Sequence, residues 1–331
     1  MKPFAFVAPT TIEDVVRLLA AGQGRARVLA GGSDLLGELK DDVVHYEQLI
    51  SLAGVETLRH IRHDGSTLRL GALVTLAQLE QDPRILGPYR MLAEAARGVA
   101  TPEIRHQGTL GGNLCQRPRC FYYRQALTPC LKKGGADCPA LASPYQGYLS
   151  IMGGQGCYSV HASDLAPPLM ALQAQVFLVS PSGERSMPLQ QFVAGPERDV
   201  RRENVLADDE ILTAVALPAG PPGWQGTYLK VRERTAGDFP LVSVAVGYSL
   251  VDGRMRHVRL VFGGVAPIPW CSSDAEAVLE GDVPSRELAS QATEVALARA
   301  HPLAHNAFKL DLARALVPRA ILAVASQHQA A

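Results

Sequence analysis

The chain has 331 residues, 47% hydrophobic and 19% charged, with 32 basic residues against 32 acidic ones and no formal net charge. That length buries a sizeable core and accommodates two or three domains, and the charge balance excludes a general electrostatic attraction to nucleic acid or membrane. The opening MKPFAFVAPTTIEDVV does not develop the apolar run of a signal peptide, and no stretch approaches the roughly 20 apolar residues of a bilayer span, so no membrane insertion is expected.

Ala5 to Val7 reads as a short strand, and a helix follows from Thr11. Thr11, Glu13 and Asp14 suit its N-terminus, and Val15, Val16, Leu18 and Leu19 give it an apolar face. Arg27 to Ala30 is a strand running into Gly31-Gly32-Ser33-Asp34, a new helical pattern opens with Leu35 and Leu36, and Gln48 to Leu52 is another strand. This is the start of a small βαβ unit. LRHIRHDGSTLRLGAL predicts a hairpin turning at Asp64-Gly65, Thr75 caps a short helix, and Arg90 to Arg97 continues as helix.

After an irregular cysteine-rich stretch, Asp164 begins a helix whose prolines occupy its first turn. Strands follow at Gln175 to Ser180 and from Ile211, with a turn at Pro181-Ser182-Gly183, and AGPPG at Ala219 to Gly223 reads as a linker. Beyond it, two alternating strands surround Asp252-Gly253, with Val242, Val244 and Val246 on one face of the first and Val258, Leu260 and Phe262 on one face of the second. SRELASQATEVALARA and NAFKLDLARALVPRAILAVA close the chain as helices. The expected fold class is α+β, ending in an antiparallel sheet packed on helices.

Two glycine loops stand out. In VLAGGSDLL a glycine pair lies between a strand and a helix, where the backbone can approach a ligand and the next amides suit an anion such as pyrophosphate. Alone it equally describes an ordinary strand-to-helix turn, and the Rossmann pattern G-x-G-x-x-G is absent. The second loop is GTLGGNL, Gly108 to Leu114, in which Thr109 and Asn113 add side-chain hydrogen bonds. Two such loops gripping one extended dinucleotide is the expected arrangement.

Five of the six cysteines fall between Cys115 and Cys157, separated by four, nine, seven and eighteen residues, and Cys271 lies far away. In a long chain without a signal this favours metal ligation over disulfides. Zinc usually takes close C-x(2–4)-C pairs, whereas an all-thiolate iron–sulfur cluster tolerates wide spacings; zinc and buried structural thiols stay open alternatives. Arg117, Arg119, Arg124, Lys132 and Lys133 are interleaved with the cysteines, where their charge is expected to offset a negative cluster. His161, Ser163 and Asp164 are too close in sequence to build a hydrolytic triad locally.

VLAGGSDLL, IRHQGTLGGNL, SDLAPPLMAL, YLKVRERTAGDFPLVSVAV and NAFKLDLARALV resemble, in order and over nearly the whole chain, the FAD-binding subunit of molybdenum hydroxylases, the xanthine dehydrogenase and carbon monoxide dehydrogenase relatives. The resemblance implies a vanillyl-alcohol-oxidase (PCMH)-type FAD-binding domain over 1–218, with subdomains of about 1–55 and 56–218 and a cysteine-rich insert at 115–158. A linker at 219–223 and a CO-dehydrogenase flavoprotein C-terminal domain over 224–331 would follow. FAD contacts carry over to Leu29, Ala30, Gly31, Gly32, Ser33, Asp34, Leu35 and Leu36, to Thr109, Gly112 and Asn113, and to Asp164, Leu212 and Lys230. Where relatives usually have an aromatic after the R-x-R run, this chain has Gly237 and Asp238.

The insert resembles that of two exceptional types carrying an additional 4Fe–4S cluster, the FAD subunits of 4-hydroxybenzoyl-CoA reductase and of bacterial periplasmic aldehyde oxidoreductases. The nine-residue first gap and long last gap match the aldehyde type, making Cys120, Cys130, Cys138 and Cys157 the implied ligands and leaving Cys115 and Cys271 outside the set. The resemblance implies a large molybdenum-cofactor subunit that oxidises the substrate, a small 2Fe–2S subunit, and an external electron acceptor served from FAD. No block of the plant ferredoxin type and no molybdopterin-binding segment occurs in this chain, and no catalytic base is assigned. The alternatives are the FAD subunit of a 4-hydroxybenzoyl-CoA reductase or xanthine dehydrogenase-like enzyme and, in another class, a zinc-stapled non-enzymatic binding module. The compartment is expected to be the cytoplasm, or the periplasm if a partner carries a twin-arginine signal.

Overall fold

The computed structural model describes residues 1–330. Three parallel strands open the chain, β1 (Ala5–Val7), β2 (Ala26–Leu29) and β3 (Gln48–Ser51), with β3 between the other two. The crossover from β1 to β2 is the helix Ile12–Gly22. The Thr11 hydroxyl caps it by accepting from the Asp14 N–H, and Val15, Val16 and Leu19 are buried beneath it. The glycine pair and the short helix Leu35–Lys40 occupy the return from β2 to β3.

A five-stranded antiparallel sheet comes next: β4 (Ile61–Asp64), β5 (Thr67–Gly71), β6 (Gln175–Ser180), β7 (Gly183–Pro188) and β8 (Ile211–Leu217), in the order β4-β5-β8-β6-β7. The first hairpin turns one residue later than expected. Asp64 pairs with Thr67, so Gly65-Ser66 forms the loop, and Gly65 takes a φ of 60°. Every residue of β8 is buried, and it joins β5 to β6 across the cysteine-rich stretch. Both sides of that stretch are thus fixed to one sheet.

The last sheet holds β9 (Gln225–Val231), β10 (Val242–Val251), β11 (Arg254–Gly263) and β12 (Trp270–Cys271), in the order β12-β11-β10-β9. The turn is Asp252-Gly253 as expected, and both residues have positive φ, 51° and 74°, as a two-residue hairpin loop of the tightest kind requires. Val242, Val244, Val246, Val258, Leu260 and Phe262 share a core with Ala275, Ala292 and Val317 of the helices Ser273–Leu279, Arg286–Leu297 and Phe308–Ala330. On the opposite face Ala245 and Val261 enter the core that holds β5, β6 and β8. The central strands of this sheet are therefore buried on both sides.

Lys309 is fully buried in the last helix and donates to the carbonyls of Leu149 and Gly264 at 2.8 Å each, tying the end of the cysteine-rich stretch to the C-terminal helices. Burial lowers its pKa to about 7 from 10.5. Between those values the unfolded chain binds a proton that the folded chain does not, so this group favours folding more as pH rises. The difference in unfolding free energy between wild type and Lys309→Met should move in favour of wild type from pH 7 upward. Parallel urea titrations of both proteins check this, and a pH-independent difference rejects it.

Candidate cofactor site

The two glycine loops touch. A Cβ on Gly31 would lie 1.8 Å from the carbonyl oxygen of Gln107 and 3.3 Å from the Cα of Gly108, so the two backbones meet with no room for a side chain. The Leu76 N–H donates to the Gly108 carbonyl, and a Cβ on Gly111 would crowd the Ala72 methyl at 2.9 Å. Thr109 caps the turn Leu110–Leu114, its hydroxyl accepting from the Gly112 N–H at 3.1 Å. One cleft with about 1640 Å³ of empty space runs along this junction.

Twelve of the fourteen residues named from sequence line it: Leu29, Ala30, Gly31, Gly32, Ser33, Asp34 and Leu35 from the first loop, Thr109, Gly112 and Asn113 from the second, with Asp164 and Leu212. Leu36 does not line it; its side chain packs beneath Gly32. Lys230 stands behind the wall, its ammonium donating to Asp164 at 2.8 Å and to the Gly98 carbonyl at 3.0 Å.

Asp164 does not start the next helix. The helix runs Ala166–Ala171 with Leu165 at its N-cap, and just upstream the Ser163 hydroxyl accepts from the Ala166 N–H at 3.1 Å and donates to the Asn113 side-chain oxygen at 2.5 Å. That second bond joins the two ends of the cysteine-rich segment. Asp164 is buried, with Tyr228 donating to one carboxylate oxygen at 2.6 Å and Lys230 to the other. Burial and the neighbouring carboxylate hold the Tyr228 hydroxyl well above the usual tyrosine pKa, so it remains a donor. Sequence reasoning missed Tyr228 because Gln225–Val231 mixes polar and apolar residues without clean alternation, although the family-like stretch begins with this tyrosine.

Several of the bases among the cysteines have carboxylate partners. Asp34 accepts from the Arg117 N–H and the Arg124 guanidinium at 2.7 Å each and pairs with Arg119 at 2.9 Å. Glu203 pairs with Arg117 at 2.9 Å and Lys132 at 2.5 Å, and Lys133 donates to the carbonyls of Tyr122 and Gln125. Buried Glu38 accepts from the Tyr123 hydroxyl at 2.5 Å. These side chains pin the insert to the first glycine loop and to the segment around Glu203. Phe239, next to Gly237 and Asp238, lines the cleft beneath the Arg119 guanidinium, whose central carbon lies 4.9 Å from the ring centroid.

Cys120, Cys130, Cys138 and Cys157 line a second, much smaller cavity, walled by Tyr123, Leu131, Ala140 and Leu149. The Cys157 sulfur lies 3.3 Å from the Ser159 hydroxyl. Cys115 faces the first cleft instead, where burial pushes its thiol up to about 11, and Cys271 sits in β12. As the side chains stand, no three His, Cys, Asp or Glu among the described residues form a metal-holding group, and all six cysteines are free thiols.

The two glycine loops thus meet along one cleft backed by an antiparallel sheet and helices. The family profile described as FAD binding domain in molybdopterin dehydrogenase matches residues 2–220, and that of the CO dehydrogenase flavoprotein C-terminal domain matches 227–324. The chain belongs to this family, as an FAD-binding subunit of the molybdenum hydroxylase oxidoreductases. It is 34% identical to the aldehyde oxidoreductase FAD-binding subunit PaoB of Escherichia coli strain K12, over 95% of this chain and 96% of that one. Among solved structures, carbon monoxide dehydrogenase from Hydrogenophaga pseudoflava matches with a TM-score of 0.79 at 26% identity, over 98% of this chain and 99% of its own. Quinoline 2-oxidoreductase from Pseudomonas putida 86 matches at 0.77 and 25%, over 99% of both chains. Family membership sets aside the non-enzymatic binding module. Among the described residues no helix is long and apolar enough to cross a membrane.

Proposed function

We propose that the chain is the FAD and 4Fe–4S electron-transfer subunit of a molybdenum-dependent aldehyde oxidoreductase, working with a large molybdenum-cofactor subunit and a small 2Fe–2S subunit. The observation that carries this reading is the convergence of Cys120, Cys130, Cys138 and Cys157 on one cavity beside the cofactor cleft. The donor set fits a cluster: four thiols lining one small cavity with an apolar wall. The similarity to a protein named as an aldehyde oxidoreductase subunit supports the substrate class.

In this reading residues 1–218 hold FAD, with subdomains of about 1–55 and 56–218 and the insert at 115–158, while 219–223 links to the C-terminal domain at 224–331. Gly31, Gly32, Gly112 and their neighbours let the backbone approach the dinucleotide, Thr109 and Asn113 shape the second loop, and Asp164 offers a carboxylate at the wall. Leu36 and Lys230 act from behind, by packing and by holding Asp164. Bound flavin supplies two-electron exchange; aldehyde and water become carboxylic acid on the molybdenum subunit, and electrons leave to an external acceptor. The compartment is the cytoplasm, or the periplasm by a partner's twin-arginine signal.

Cys130→Ser and Cys157→Ser should each lower the iron and labile sulfide of the purified complex while leaving flavin largely bound. Equal iron in wild type and variant removes that residue from the ligand set. Turnover of the complex with benzaldehyde-like substrates, against aromatic acyl-CoA and purine substrates, tests the aldehyde assignment.

A further inference from the structure

Glu38 belongs to the wall of the cofactor cleft and Tyr123 to the wall of the cysteine cavity, and both are buried, 3% and 2% exposed. The Tyr123 hydroxyl donates to a Glu38 carboxylate oxygen at 2.5 Å. Among the described residues this is the one side-chain hydrogen bond that joins the two walls. The central guanidinium carbons of Arg117 and Arg124 lie 5.1 and 5.5 Å from the centroid of the phenol ring and steady it.

Two carboxylates stand here, and the arginines favour one of them. Asp34 takes the Arg117 N–H, the Arg124 guanidinium and Arg119 at 2.7 to 2.9 Å. Glu38, one turn further on, has the Arg124 guanidinium at 4.0 Å, beyond hydrogen-bond reach. The other charged or titratable groups around the pair are Glu203, which takes Arg117 and Lys132, and Tyr46 beside Arg117. Burial raises the Glu38 carboxyl above its usual range; the Tyr123 bond opposes this, the Asp34 charge adds to it, and Arg124 and Arg117 oppose it. A phenol and a carboxylic acid can each donate and accept, so the bond survives when the carboxyl takes up a proton.

We infer that Glu38 is the proton-uptake partner of the redox centre in the cysteine cavity, taking one proton when that centre gains an electron and releasing it on reoxidation. This rests on the 4Fe–4S reading proposed above. Four thiolates already make the cavity negative, and one further electron raises the proton affinity of a buried carboxyl across the wall. The balance is one electron from the 2Fe–2S subunit and one proton from water for each reduction. Glu38 acts across Tyr123 and is a positioning residue for charge.

The test is an EPR-monitored redox titration of the intact complex from acid to mildly alkaline pH. The signal of this cluster is recognised by its loss in Cys130→Ser. In wild type its midpoint potential should fall as pH rises, toward the one-electron limit of about 59 mV per pH unit, over a window above the usual carboxyl range. Glu38→Gln, which keeps the size and an acceptor for the Tyr123 hydroxyl, should be flat over that window. Tyr123→Phe removes a donor that favours the charged carboxylate, so its window should move up by about one pH unit, a tenfold gain in proton affinity. Iron and flavin contents equal to wild type qualify each variant. A pH-independent potential in wild type, the same slope in Glu38→Gln, or a Tyr123→Phe profile that superimposes on wild type overturns the role of Glu38 while the cluster stands. If wild type shows no signal that depends on Cys130, the cluster reading falls with it.

Discussion

Gly31→Ala should strip FAD from the protein, lowering cofactor affinity by roughly tenfold to a hundredfold, the equivalent of the overpacking cost at a backbone contact. The added methyl would sit 1.8 Å from the carbonyl oxygen of Gln107, which is backbone and has no rotamer to yield. Either the end of β2 or the turn before Gly108 must move, and a close-packed interior transmits that movement along the cleft. Overpacking of this kind also costs about 1–3 kcal/mol of stability. Gly37, in the first turn of the helix Leu35–Lys40, has nothing within 4 Å of its would-be Cβ. Gly37→Ala should therefore keep flavin and gain up to about 1 kcal/mol from helix propensity. Flavin per protomer after gel filtration, read by absorbance, compares the two. A Gly31→Ala protein that retains flavin like wild type would sink the loop-contact argument.

Asp164→Ala should cost about 3–5 kcal/mol, because it leaves the Lys230 ammonium buried without its counter-charge. Both side chains are nearly inaccessible, 3% and 6% exposed, and the Tyr228 hydroxyl loses its acceptor in the same step. The pair also bridges β9 to the wall of the cofactor cleft, so loosening it reaches the flavin. A double-mutant cycle isolates the coupling: Lys230→Met added to Asp164→Ala should recover part of the loss, since the orphaned charge disappears. Urea unfolding of the four proteins provides the measurement. A loss under about 1 kcal/mol for Asp164→Ala, or strict additivity, would show that the pair is not an isolated buried charge system.

What sequence conveyed and what it did not separate along physical lines. Local signals were legible: the Thr11 cap, the Asp252-Gly253 turn and the apolar faces of β10 and β11 each depend on residues within a few positions of one another. The glycine loops and the four clustered cysteines were legible as types, and the fold brings each set to one cavity. Pairings across long separations were not. Nothing near Asp34 indicates that Arg117, Arg119 and Arg124 will meet its carboxylate, and nothing near Asp164 points to Tyr228. The helix starts at Ala166 and not at residue 164, because the Asp164 carboxylate that would suit a cap is instead engaged by a buried lysine and tyrosine.

The bond between Asn113 and Ser163 closes a 50-residue excursion at 2.5 Å. Once the two ends of a chain are held together, the entropy of closure depends only weakly on what lies between, roughly 0.6 kcal/mol for each doubling of length. The flavin-cleft residues on either side of that junction are thus insulated from length changes in the segment. A lineage can splice in a cluster-bearing loop, trim it or exchange it as a cassette while the neighbouring cofactor keeps its place, and an engineer can do the same at this position.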